Sequence, residues 1–228
     1  MTSDSLAREP KTAAGAASSH GATVVRLASA RQSNRRRQIL QATLRLVRRH
    51  GTTITTAQIA AESKCSKETL YSWFGSRDGI FTALVDAQAE AMAQALEAGF
   101  ANADGSLEDR LRHNAAVLLD IMTGDAVIVI NRIAMASASS RASALGERVV
   151  EGWRESVVRP FIDLFEEGSR AGLLTIYDPQ EAFDTLSGLV IGDRQRQLLL
   201  GAGTRPNARA MVSIANKAIQ RWLVLYRS

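Results

Sequence analysis

Cysteine, histidine, proline and aromatic residues are scarce in this sequence, and each scarcity narrows what the chain can be. A single cysteine, Cys65, cannot form an intrachain disulfide, which argues against a disulfide-built secreted module and for a reducing cytoplasmic setting. The three histidines, His20, His50 and His113, stand far apart and in no metal-ligand or nucleophile–base spacing. No phosphate-binding glycine motif accompanies them, so the sequence points to no metal, no cofactor and no catalytic centre; a helical-bundle enzyme is the weaker class. No apolar run approaches the roughly 18 residues needed to span a bilayer, and no apolar segment follows the first charges, so a soluble, unexported protein without a membrane partner is expected. Short β-branched alternation is rare as well. The run Val127-Ile128-Val129-Ile130 could be a strand in isolation, but Asn131, Arg132, Met135 and Ala136 continue a helical period around it.

What is present is helix and unevenly placed charge. The 228 residues can bury a core without disulfides or metals, as one small and one larger domain. Residues 1–80 carry 13 Lys+Arg against 5 Asp+Glu, whereas residues 81–228 carry 15 against 18. A basic head on a mildly acidic body is the footprint of polyanion binding at one end.

Residues 1–33, rich in Ala, Ser, Gly and Thr, show no sustained apolar period and read as a flexible basic arm. From Ser33 onward Ile39, Ala42, Thr43, Leu46 and Val47 recur at helical steps, until Gly51 supplies a left-handed cap. Thr55 and Gln58 then have capping-box spacing ahead of Ile59-Ala60-Ala61. Ser66 is the next N-cap candidate, opening Lys67 to Phe74, with Gly75 closing; Ser76 starts a longer helix. Further helices are expected near 106–122, 125–138, 144–171 (kinked or split at Pro160), 178–201 and 207–226. The expectation is an all-α chain: an arm over 1–33, a three-helix head over 34–80 and a larger helical domain over 81–228.

The segments Thr55–Ser63 and Ser66–Phe74 have the dimensions of a helix-turn-helix, with small Ala60 and Ala61 where two helices would cross. The second helix would enter the DNA major groove and present Lys67, Thr69, Tyr71, Ser72 and Trp73, while Leu70 and Phe74 face the core. Tyr71 and Trp73 also suit a bland packing role. The Arg-rich helix with Arg35, Arg36 and Arg37, alone a solvated face, becomes a phosphate or minor-groove contact beside such a unit. Cys65 sits at the turn, where a small buried side chain is expected in preference to a redox sensor.

Ile39-Leu40, Ala42, Leu46, Gly51, Thr55-Thr56, Ile59-Ala60, Ser66-Lys67-Glu68-Thr69-Leu70-Tyr71, Phe74, Ser76-Arg77 and Ile80-Phe81 together resemble the DNA-binding domain of the TetR/AcrR family over about 36–85. Ala182-Phe183, Leu189, Gly192-Asp193 and Leu198 to Gly201 resemble the C-terminal domain of an AefR-like subgroup. The resemblance implies a ligand-responsive regulator, a repressor released by a small molecule, in which Thr55 or Thr56, Lys67, Thr69, Tyr71, Trp73 and Arg77 touch double-stranded operator DNA. A regulator without a ligand is the alternative. Departures from the family pattern are Lys64 where a turn glycine is usual, at a cost of about 1 kcal/mol if left-handed, Thr52 for an aromatic, and Arg77 for a lysine. The family also pairs its last two long helices across a twofold axis, which assigns Phe183, Leu186 and Val190 with Met211, Ile214, Ala218 and Trp222 to a homodimer interface. A small-molecule pocket is expected within 106–171, lined by His113, Asn114, Leu118, Met122, Asn131, Met135 and Trp153.

Overall fold

The computed structural model describes residues 16–102, 105–138 and 144–228. Its order is α1 (Ala16–His50), a 3-10 turn (Gly51–Thr53), α2 (Thr56–Ser63), α3 (Lys67–Phe74), α4 (Arg77–Asn102), α5 (Leu107–Thr123), α6 (Asp125–Ser137) and α7 (Leu145–Trp153). A π turn (Arg154–Val158) leads into α8 (Arg159–Arg170), followed by α9 (Pro179–Ile191), α10 (Arg194–Leu199) and α11 (Ala208–Tyr226). Among the described residues there is no strand, and no helix is long and apolar enough to cross a membrane.

The start and stop chemistry read from the sequence recurs in the backbone. Thr55 and Gln58 form a reciprocal capping box, the Ser66 hydroxyl accepts from the Thr69 amide, and the Ser76 hydroxyl accepts from the Gly79 amide. Gly51, with φ +74°, turns the chain out of α1. The Val127–Ile130 run lies inside α6, where Val127, Ile128, Val129 and Ile130 are all buried.

Two boundaries differ from expectation. The first helix begins at Ala16, not near Ser33, so residues 16–33 of the expected arm are helical and residues 1–15 lie outside the described residues. Extending a helix already anchored by Ile39, Ala42 and Leu46 costs no new nucleus, and no proline interrupts 16–33. The second is the expected helix over 178–201, which breaks at Gly192, whose φ of +53° only glycine adopts easily. Pro160 acts as foreseen. It lacks an amide and its ring crowds the carbonyl four residues back; the chain accommodates it by a π turn in which the Arg159 amide reaches Arg154 O.

Two cores share the middle helices. The head core joins Ile39, Leu46, Ile59, Leu70 and Phe74 to Phe81 and Leu84 of α4 and to Val129, Ile130 and Ile133 of α6. The body core gathers α5, α8, α9 and α11 around Phe161, Phe165, Phe183 and Trp222. The expected division at residue 80 therefore falls inside a continuous helix, and α6 belongs to both cores. The Arg48–Asp125 ion pair, at 2.7 Å, ties the end of α1 to the start of α6.

The expected interface stripe needs correction. Phe183, Leu186, Val190, Met211, Ala218 and Trp222 are buried within a single chain, and Ile214 packs half-buried against the same core. Trp222 donates its indole N–H to Ala182 O at 2.8 Å and stacks on Phe165 at 4.9 Å. An apolar stripe at helical period marks a buried face without saying whose core buries it.

Candidate functional site

Two features can carry function: the outward face of α2 and α3, and a cavity where the body meets the base of the head.

Ile59 and Ala60 of α2 meet Leu70 and Phe74 of α3, which fixes the mutual angle of the two helices. The turn between them is tight because Lys64 adopts φ 51°, ψ 50°, the left-handed conformation that glycine usually supplies. Cys65, half-buried, packs against this core with its Sγ 3.2 Å from Ser63 Oγ, as a turn-filling side chain would. The opposite face is open. Lys67 and Ser72 are exposed, and Tyr71 is 49% exposed with its hydroxyl 3.4 Å from Thr56 Oγ1, linking the two helices at the surface. Thr69 is half-buried, 3.1 Å from Ser66 Oγ. Trp73 is half-buried against the head core, so packing holds part of its ring.

The basic residues divide into two groups. Arg35 and Arg77, both assigned to DNA from the sequence, are engaged internally. Arg35 Nη2 donates to Ser63 O at 2.8 Å and Lys64 O at 2.7 Å, closing the C-terminus of α2. Arg77 Nε donates to Ile54 O at 2.8 Å, its Nη2 donates to Thr52 O, and its guanidinium lies 4.7 Å over the Phe81 ring. Unpaired carbonyls at helix and turn ends attract a guanidinium fork, and linear sequence does not reveal that neighbourhood. Arg45 and Arg49 are likewise paired with Glu62, whose carboxyl the Arg49 hydrogen bond holds below its usual range. Arg31, Arg36, Arg37 and Lys67 remain exposed, with no acidic partner among the described residues; Arg36 lies 4.9 Å over Phe74 and beside Ser72 and Trp73. The α2–α3 face thus offers unpaired cations, hydroxyls and an aromatic edge, a set suited to phosphates and base edges.

The cavity, of about 310 Å³, lies between α4, α6, α7 and α9–α10, beneath the end of α5. Of the seven residues expected to line a pocket, Met122, Asn131 and Trp153 do. The other four do not. His113 is exposed, Asn114 and Leu118 are fully buried in the body core, and Met135, one turn beyond Asn131 on α6, is 56% exposed. The physical reason is the helical period: on α5 only the last turn, at Met122, reaches the cavity, and the turns before it lie under α4 and α11. Asn114 instead donates to Arg110 O at 2.9 Å and sits against Gly99. Missed from the sequence were Val85, Gln88, Ala89 and Met92 of α4, and Ser187, Ile191 and Gln195. Their three- and four-residue spacing on α4 was a signal for a second buried face. Among the described residues no group of His, Cys, Asp or Glu is placed to hold a metal ion.

Residues 39–84 match the family model described as bacterial regulatory proteins, tetR family, and residues 109–228 match that of the AefR-like transcriptional repressor, C-terminal domain. A TetR transcriptional regulator from Agrobacterium tumefaciens is 31% identical, with a TM-score of 0.67 over 86% of this chain and 95% of that one. A structure from Mesorhizobium loti MAFF303099, named for the same family, superposes with a TM-score of 0.77 at 20% identity, covering 87% of this chain and 99% of that one. The flavonoid-responsive regulator FrrA superposes with a TM-score of 0.63 at 23% identity, over 86% and 98% of the two chains. No curated protein matches the sequence.

Proposed function

Because this chain belongs to the TetR family of transcriptional regulators and carries its DNA-binding helix-turn-helix, we propose that it is a homodimeric repressor that binds a palindromic operator and is released by a small molecule. The single observation that carries the DNA reading is the α3 surface, where Lys67, Tyr71 and Ser72 are exposed while Leu70 and Phe74 anchor the helix from behind.

Dimerisation is assigned to the outward face of α9 and α11 in place of the buried stripe. Val212, Val224 and Leu225 of α11 are exposed, Val224 at 83%. Gly188, on the outside of α9, has nothing within 4 Å of where a Cβ would stand, so no neighbour within the chain accounts for a residue that weakens a helix by about 0.5–1 kcal/mol. A partner helix approaching closely would.

Release is supported by where the cavity lies. Val85 and Ile130 line it and are also members of the head core. A ligand that favours a different placement of α4 and α6 therefore acts on the base of the DNA-binding unit directly, and in a dimer on the spacing of two heads. The test is operator selection from random duplexes followed by light scattering and fluorescence anisotropy. A dimer that prefers one palindrome over scrambled DNA is the expected result; a monomer without sequence preference overturns the reading.

A further inference from the structure

Resting on the effector reading above, we propose that the cavity is built for an uncharged, flat, hydrogen-bonding ligand and disfavours charged analogues of the same skeleton. No Asp, Glu, Lys, Arg or His among the described residues contributes to its lining. The charged residues adjacent to the lining in sequence are all committed elsewhere or exposed. Arg132, beside Asn131, donates to Leu198 O at 2.8 Å and Leu199 O at 3.0 Å. Arg194, beside Gln195, donates to Ile191 O at 3.2 Å and Val190 O at 3.5 Å, and Arg196 on its other side is paired with Asp193. Arg148, beside Val149, is paired with Asp86 at 3.0 Å, and Glu151 and Arg154 around Gly152-Trp153 are exposed. An ionic ligand entering this half-open cavity would give up part of its hydration and meet no counter-charge.

The lining is nevertheless polar in places. The side-chain amides of Gln88 and Asn131, the Ser187 hydroxyl and the Trp153 indole N–H have no hydrogen-bond partner among the described residues, and Gln195, which donates its amide to Met122 O at 3.2 Å, keeps its side-chain oxygen free. Together they offer donors and acceptors without charge, which matches hydroxyl and carbonyl groups on a ligand. Trp153 is held by Phe183 at a ring separation of 5.9 Å, giving the cavity a braced aromatic wall that favours a flat partner.

The test uses two dyes that differ only by a sulfonate: neutral N-phenyl-1-naphthylamine and anionic 8-anilino-1-naphthalenesulfonate. Both are titrated into the full chain, and cavity occupancy is read as energy transfer from tryptophan that falls in Trp153→Phe. The neutral dye is expected to bind at least about tenfold tighter than the anion, because the anion loses part of its hydration uncompensated. Gln88→Arg and Asn131→Lys, each checked for native helicity, should reverse that order by supplying a cation. Equal or tighter cavity binding of the anion to the wild-type chain overturns the proposal, as does an unchanged order in either folded variant. Operator anisotropy in the same samples separates the two readings. Neutral-dye occupancy without operator release counts against the effector reading and leaves the cavity's ligand class standing; anion preference with operator release does the reverse.

Discussion

Arg35 and Arg77 are basic residues of the DNA-binding unit whose guanidiniums bond the chain's own carbonyls. Each guanidinium closes a carbonyl end around α2, and hydrogen bonds from a charged donor contribute about 1.5–3 kcal/mol. Arg77→Ala is therefore expected to lower the thermal midpoint clearly while leaving the salt dependence of DNA binding near wild type. Arg36→Ala with Arg37→Ala should do the opposite, flattening the log–log salt slope by about 0.9 for every phosphate that is no longer neutralised, at nearly unchanged stability. Lys67→Ala and Thr69→Ala should instead reduce the ratio of operator to scrambled-DNA affinity, a good base contact being worth roughly 1–3 kcal/mol of discrimination. A salt titration of all variants on both duplexes, beside a thermal melt, checks the division. Lys64 permits a gain in stability: at φ 51° it bears left-handed strain, so Lys64→Gly should stabilise the head by about 1 kcal/mol, read as a higher melting temperature.

At the level of elements, α5 and α8 are clamped by the Arg110–Glu167 pair, in which Arg110 Nη2 donates to Glu167 Oε2 at 3.0 Å. The Arg110 hydrogen bond holds the Glu167 carboxyl below its ordinary value near 4.5. A carboxyl depressed by folding stabilises the native state above its ordinary value, and that contribution disappears as pH falls through the depressed one. The difference in melting temperature between the wild-type chain and Glu167→Gln should accordingly be present near about pH 6 and shrink toward about pH 3. Both side chains are partly solvated, so the effect is small and weakens in high salt. A difference that stays constant across this range would show that the pair does not link α5 to α8 energetically.

For the whole molecule, the sharing of α6 between two cores predicts that head and body unfold together. Val127 is packed in the body core, Val129 and Ile133 in the head core, and Ile130 in the head core and the cavity wall. Calorimetry should show one transition whose calorimetric and van't Hoff enthalpies agree, and fluorescence dominated by buried Trp222 should lose its native signal at the same midpoint as Trp73. Two separated transitions would mean that the head can move without the body. The proposed dimer face makes a separate prediction: Val212→Arg with Val224→Arg, both solvent-facing in a single chain, should yield a folded monomer by light scattering and weaken operator binding by orders of magnitude, since two half-sites must then be captured independently.

Local signals in the sequence were enough to determine the α2–α3 unit. Thr55, Gln58 and Ser66 cap neighbouring amides, and Ile59, Ala60, Leu70 and Phe74 repeat at helical spacing, so interactions spanning a few residues specify both helices and the face they bury. The exposed positions of α3 follow from the same period. What only the tertiary structure decided was the use of residues whose partners are distant in the chain. Arg35 meets carbonyls 28 and 29 residues away, Arg77 meets one 23 residues away, and Trp222 meets Ala182 across 40. The cavity combines α4 with residues about a hundred positions later, where apolar spacing identifies a buried face but not the helix that buries it. For the same reason the stripe on α9 and α11 was visible in the sequence as an apolar face, whereas its burial inside one chain depended on the packing of α5 and α8 against it.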